Sequence, residues 1–168
     1  MWDSLRTLAP IVAVFALLIG LMMWAFEGLI DRRNNPNLNI ATGAQGPQQV
    51  VLKRNPYGQY VAPGSINGRS VTFLVDTGAD HVAVPADIAD SLGLERGQAI
   101  QVITAGGVAT AYRTKIERIT LGGIQFQNIR GSIVPAMRDQ EILLGMTFLR
   151  HVDFQKKGNE LIIEAATP

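Results

Sequence analysis

From Thr7 to Phe26 the chain carries no charged residue, and nothing else in it limits the possible folds so severely. The run Leu8-Ala-Pro-Ile-Val-Ala-Val-Phe-Ala-Leu-Leu-Ile-Gly-Leu-Met-Met-Trp-Ala-Phe26 has no polar face, so it does not suit the surface of a globular domain. A helix needs about 20 apolar residues to cross a bilayer, and this run has that length. Pro10 is placed by this reading in the first turn, where a missing N–H costs little. Trp2 and Trp24 stand near the two ends, where indoles favour the membrane interface. A cleaved signal would have a shorter core of roughly 7–15 residues and a small-residue cleavage site. Ala25-Phe26-Glu27 is not such a site, so residues 1–30 are expected to be an uncleaved anchor that meets the bilayer through residues 7–26. Arg6 before the span and Arg32-Arg33 after it give a one-residue margin for a cytoplasmic C-terminal part.

Residues 31–49 change character. They are rich in Asn and Gln and broken by Pro36 and Pro47, which predicts a polar linker. Arg32-Arg33 reads as a solvated flank of the anchor. A single folded domain is expected over residues 50–168. Fifteen Lys+Arg against fourteen Asp+Glu leave a net charge of +1, which argues against a nucleic-acid footprint. The absence of cysteine excludes disulfides, thiolate zinc sites and a Cys nucleophile. Two histidines, His81 and His151, are too few for a histidine-rich metal site, and no cofactor or metal is expected.

Seventeen glycines and eight prolines predict a turn-rich, mostly-β domain. Strands are expected at Val50–Leu52, Tyr60–Ile66 and Ser70–Val75, with Asn67-Gly68 as the hairpin turn between the last two. The third is apolar and β-branched and reads as buried on both faces. Val82–Val84 follows, then a helix over Ala86–Leu92 opened by Pro85 and stopped by Gly93. Gln101–Thr104 and Val108–Tyr112 flank Ala105-Gly106-Gly107 as a second hairpin. Lys115–Leu121, Ile124–Ile129, Ile133-Val134 and Glu141–Leu144 read as further strands, Phe148-Leu149 as the start of a short helix. Val152–Phe154 and Leu161–Ala165 close a last hairpin around Gly158-Asn159.

The chemistry centres on Phe73-Leu-Val-Asp76-Thr77-Gly78-Ala79, an acid delivered by a buried strand into a tight turn. Gly78 allows close approach of a backbone or ligand, and Thr77 can brace the turn. Ile142-Leu-Leu-Gly145 is a second apolar strand ending at glycine. Read alone, Asp76 could be an ordinary turn residue and Gly106-Gly107 a plain hairpin tip. His81, His151, Asp153 and Glu141 read as loop, turn or surface residues. A phosphate-transfer reading fails, because Gly106-Gly107 lacks the Lys or Ser/Thr that a phosphate cradle needs.

In this order, Phe73–Asp80, the glycine-tipped hairpin and Ile142–Gly145 resemble the retropepsin-like aspartic proteases, most closely the membrane-anchored single-domain bacterial branch. The resemblance spans roughly Val50 to Phe154. It implies a retropepsin-like closed β-barrel with one or two short helices, preceded by one transmembrane helix. It also implies peptide-bond hydrolysis with Asp76 as the catalytic aspartate. Thr77 and Gly78 would support the dyad, Gly78 and Asp80 would face the peptide backbone, and Gly106 and Gly107 would form the flap tip. Viral members carry Gly-Arg-Asn where this chain has Gly145-Met146-Thr147, so the arginine that pairs with the acid at Asp80 is missing; Arg150 is a candidate substitute. One Asp-Thr-Gly in a single domain requires a homodimer to assemble two carboxylates, which cannot both ionise at close range. The expected partners are a second copy, an extended peptide and the bilayer, with the catalytic domain on the periplasmic side of a bacterial inner membrane. The competing expectation is a dimeric peptide-binding or scaffold module of the same fold with an idle Asp76.

Overall fold

The computed structural model describes residues 2–40, 48–104, 106–138 and 140–166. Contacts divide the chain between Asn34 and Asn35 into two units. The first is helix α1, Trp2–Asn34. Its stretch Val12–Asn34 is long and apolar enough to cross a membrane, a test that a signal sequence also passes. Phe15, Leu18, Met22 and Trp24 are all more than half exposed. The helix begins at Trp2, before the uncharged run, so Pro10 lies inside it and not in the first turn. An internal proline forfeits one i→i−4 bond.

The second unit is mostly β. Its strands are β1 (Gln49–Lys53), β2 (Val61–Ile66), β3 (Arg69–Val75), β4 (Val82–Pro85), β5 (Ala99–Thr104), β6 (Gly107–Leu121), β7 (Ile124–Val134), β8 (Ile142–Leu144), β9 (Val152–Lys157) and β10 (Glu160–Ala165). Two one-turn helices interrupt them, α2 (Ala86–Ala89) and α3 (Met146–Leu149). The larger sheet runs β2-β3-β8-β4-β7-β6-β5, and β2 also pairs with β6 through Ser65↔Thr120 and Ile66↔Ile119. That extra pairing closes a six-strand barrel and leaves β5 outside it. The free hairpin of β5 and the first half of β6 therefore projects from the closed part.

The barrel closes because alternate residues of its strands are apolar and point inward. Phe73, Ile116, Ile119, Ile133, Ile142, Leu144 and Phe148 are fully buried in one cluster. A separate three-stranded sheet, β1-β10-β9, adds Leu52, Leu161 and Ile163 to that cluster.

Four expectations are corrected. β3 is not buried on both faces: only Phe73 is buried, and its other apolar residues are half-exposed, because that strand lines the barrel wall and has only one inner face. The helix after Pro85 ends at Ala89, with Leu94 N–H turned back to Ala89 O around Gly93. The strands read separately in 108–121 and 124–134 are two long ones, held by a continuous ladder from Tyr112↔Ile133 to Leu121↔Ile124. The polar stretch 31–49 is not uniform. It starts within α1, and Asn35 and Asn37 are buried in the second unit, with Ile40 packed on its core. Residues 41–47 lie outside the described residues, as does Ala105 of the hairpin tip.

Candidate active site

β3 and β8 run parallel, with Phe73↔Ile142, Leu74↔Leu143 and Val75↔Leu144 in register. Both strands end at the same level, so Asp76 and Gly145 leave the barrel side by side. Asp76 N–H donates to Leu144 O at 3.3 Å, which continues that ladder one step into the loop. The Asp76 carboxylate turns over its own loop and its Oδ1 accepts Gly78 N–H at 2.9 Å. Ala79 N–H closes the turn on Asp76 O at 3.3 Å. This Asx turn fixes one carboxylate oxygen and leaves Asp76 half-buried, with Thr77, Gly78 and Asp80 exposed.

The second strand end holds the loop from below. Met146 N–H donates to Ala79 O at 2.8 Å and Thr147 N–H to Asp80 O at 3.1 Å. Two backbones this close leave no room for a side chain at Gly145, where a Cβ would stand 2.2 Å from His81 O and 2.6 Å from Ala79 O. Thr147 is the support that sequence reading passed over. Its buried Oγ1 donates to Arg130 O at 2.7 Å and accepts Val82 N–H at 3.0 Å, tying β7 and β4 to the loop. The signal was its place two residues after a strand-ending glycine. Arg150 Nε donates to the carbonyl of Met146, the first residue of α3, at 3.2 Å.

The free hairpin belongs to the same end of the barrel. Ile100 and Val102 of β5 pack with Ala111 of β6, Ala83 of β4 and Leu143 of β8 in a small apolar cluster separate from the main core. Leu143 is the register partner of Leu74, two residues before Asp76. At the tip Thr104 Oγ1 donates to Gly107 O at 2.8 Å, and Gly107 has φ +105°. Ile103 and Val108, a cross-strand pair, stand 91% and 72% exposed, as apolar as any surface on the domain. The structure thus gathers Asp76, Thr77, Gly78 and Asp80 in one loop, and carries Gly106 and Gly107 on a hairpin whose base adjoins it.

A cavity of about 860 Å³ lies elsewhere; it is lined by residues of the 93–97 loop and mid-β6, such as Arg96, Arg113, Lys115 and Glu117. None of residues 76–80 lines it. Among the described residues no group of three His, Asp or Glu side chains is placed to hold a metal.

A family model described as "gag-polyprotein putative aspartyl protease" matches residues 62–151, which contain the Asp76 loop, the hairpin and Gly145. The crystal structure of a retropepsin-like aspartic protease from Rickettsia conorii superposes with a TM-score of 0.58 at 28% identity, over 68% of this chain and 97% of that one. A Sinorhizobium sp protein, uncharacterized and described by its place in the cobV 5' region, is 29% identical over 95% of this chain and 72% of its own length. An uncharacterized protein of Rickettsia prowazekii (strain Madrid E) is 25% identical over 68% of this chain, which spans half of that protein.

Proposed function

The chain belongs to the retropepsin-like aspartic protease family, and from that premise we propose that it is a membrane-anchored aspartic endopeptidase active as a homodimer. The observation that carries this reading is the Asp76 loop itself. A carboxylate is pinned by Gly78 N–H at the open end of a barrel, beside an apolar floor and a free hairpin. One such carboxylate cannot be both acid and base. A twofold axis brings Asp76 of a second copy beside the first, and an isologous interface does so without further design.

Two carboxylates held together share one proton; the handling of such a pair is well understood for aspartic proteases. The ionised one takes a proton from the water between them as the water oxygen attacks the scissile carbonyl carbon. The protonated one hydrogen-bonds the oxygen on which charge develops. Collapse of the tetrahedral species breaks the C–N bond, and the departing nitrogen takes a proton from the dyad. The products are a carboxylic acid and an amine, and the dyad is restored. Thr77 braces the two loops where they meet. Gly78 and Asp80 face the backbone of an extended peptide, and Gly106 and Gly107 cover it from the hairpin tip, so that the peptide pairs like an added strand. Ile103 and Val108 add an exposed apolar pair near the tip of that cover.

Helix α1 is the anchor in this reading, crossing the bilayer through residues 7–26, with the catalytic domain on the periplasmic face of a bacterial inner membrane. The resemblance to membrane-anchored bacterial members is the ground for that compartment, and the Lys/Arg margin around the span opposes it. A fusion-reporter topology assay decides: a cytoplasmic C-terminus removes the periplasmic assignment.

The function is tested by incubating the full chain with a diverse peptide pool, beside Asp76→Asn, from mildly acidic to neutral pH. Cleavage by the unmodified chain and its loss in the variant support the reading. A folded, dimeric chain that binds peptides and cuts none establishes the scaffold module instead.

A further inference from the structure

The three-stranded sheet is electrically divided along its length. At one end Gln49, Glu164 and Asp153 are register partners across the three strands; at the other end the partners are Lys53, Glu160 and Lys157. Beyond that second end the chain continues into Arg54, and β9 adds Lys156 one residue before Lys157. Four cationic side chains, Lys53, Arg54, Lys156 and Lys157, thus stand exposed around one carboxylate, Glu160. Arg54 N–H is bonded to Asn159 O at 2.9 Å, which joins the 54–59 loop to the β9–β10 turn. Between them lies a shallow cavity of about 420 Å³ lined by Arg54, Asn55, Pro56, Tyr57, Gly58 and Asn159. Tyr57 stands at its rim, 69% exposed, on a loop held from inside by Asn55 Oδ1, which accepts the N–H groups of Tyr57 and Gln59.

This end of the sheet is also where the chain enters the domain. Asn37 is 5% exposed, and its side chain donates to Lys53 O at 2.9 Å and to Val61 O at 2.7 Å, while its Oδ1 accepts Lys53 N–H at 2.7 Å. Only Asn35 and Pro36 separate Asn37 from Asn34, the last residue of α1. Three residues fully extended reach ~11 Å at most. The entry point of the domain is therefore fastened to Lys53, within the basic end and not at the acidic one.

We propose that this end of the domain, formed by the Arg54–Tyr57 loop and Lys156-Lys157 at the end of β9, docks on the anionic lipid headgroups around the anchor. The proposal rests on the reading of α1 as a membrane span. The charge is complementary to an anionic leaflet, and each Lys or Arg near such a surface adds attraction that fades within a Debye length. An exposed tyrosine beside cations has the amphipathic ring that headgroup depth favours. The short tether lets the patch reach the headgroups, and Arg32-Arg33 at the end of α1 add to the attraction. Docking holds the barrel in one orientation, so that its substrates are segments lying at a set height above the bilayer.

The test uses the full chain in nanodiscs, of phosphatidylcholine alone or of three parts phosphatidylcholine to one part phosphatidylglycerol. Trp2 and Trp24 are replaced by Phe, and a single tryptophan is introduced as Tyr57→Trp or, as the control at the other end of the sheet, Phe154→Trp. Lipid brominated near the headgroup is the quencher. The expected result is quenching at position 57 at least about twofold greater than at 154, only in the anionic discs, and lost at high salt and in Lys156→Glu/Lys157→Glu. In the unsubstituted chain, amide exchange over residues 54–59 slows in the anionic discs alone. A chain that does not enter the discs at all contradicts the anchor reading. A chain inserted in the discs with equal quenching at 57 and 154, or with the same quenching in neutral lipid, overturns the docking proposal and leaves the anchor standing.

Discussion

In the proposed mechanism Asp76 does two jobs, and its substitution separates them. Asn at 76 can still accept Gly78 N–H through its side-chain oxygen, so Asp76→Asn keeps the loop and the fold while removing the acid–base pair. Cleavage falls by about 10²–10⁴-fold or more, with an unchanged denaturation midpoint, because general acid–base assistance alone carries that much. Thr147 has the opposite profile. Thr147→Val removes the donor to Arg130 O, a part-buried bond, and the acceptor for Val82 N–H, a buried one. A loss of about 1–3 kcal/mol in urea unfolding is expected, with the catalytic loss following from a loosened Asp80 loop. Gly145→Ala is harsher, since a Cβ 2.2 Å from a backbone oxygen must push the two strand ends apart. The variant is expected to lose its cooperative transition or to fold with no activity, and circular dichroism beside the peptide assay tells the two apart.

The hairpin of β5 and β6 makes its own prediction at the scale of an element. Gly107 has φ +105° and Gly106 has an ordinary φ with open space, its nearest neighbour 3.8 Å away. Gly107→Ala is therefore strained by about 1 kcal/mol or more at the tip, while Gly106→Ala fits. If the tip covers substrate, both change kcat/KM and neither shifts the unfolding transition of the barrel by more than that strain. Asn37→Ala is the counterpart at the domain's entry: it strands Lys53 N–H and two carbonyls, for a cost of about 1–3 kcal/mol in urea unfolding. These two elements also mark what the sequence could and could not convey. The hairpin, the Asn67-Gly68 turn and the strand into Asp76 were legible because turn chemistry and apolar runs carry them locally. The docked segment 35–40 was not, because its burial is repaid by backbone hydrogen bonds to an Asn, which reads as solvent-exposed. Nor was the length of β6, whose polar middle, Arg113 to Lys115, breaks the apolar pattern while the ladder to β7 continues. Thr147 escaped for the same reason as Asn37: its importance lies in partners far away in the chain.

At the scale of the whole molecule the argument turns on arithmetic of copies. One chain supplies one Asp-Thr-Gly and one projecting β5–β6 hairpin. A site of two carboxylates needs two chains, and an anchor in a bilayer raises their effective concentration. The most direct measurement co-expresses the unmodified chain with Asp76→Asn in equal amounts, purifies the mixture and compares its specific activity with that of the unmodified chain. Random pairing leaves about one quarter of dimers with both aspartates, so activity at equal total protein is expected at about one quarter, falling with the square of the unmodified fraction. Activity at one half, falling in simple proportion, would mean that each chain works alone and would contradict the two-copy site.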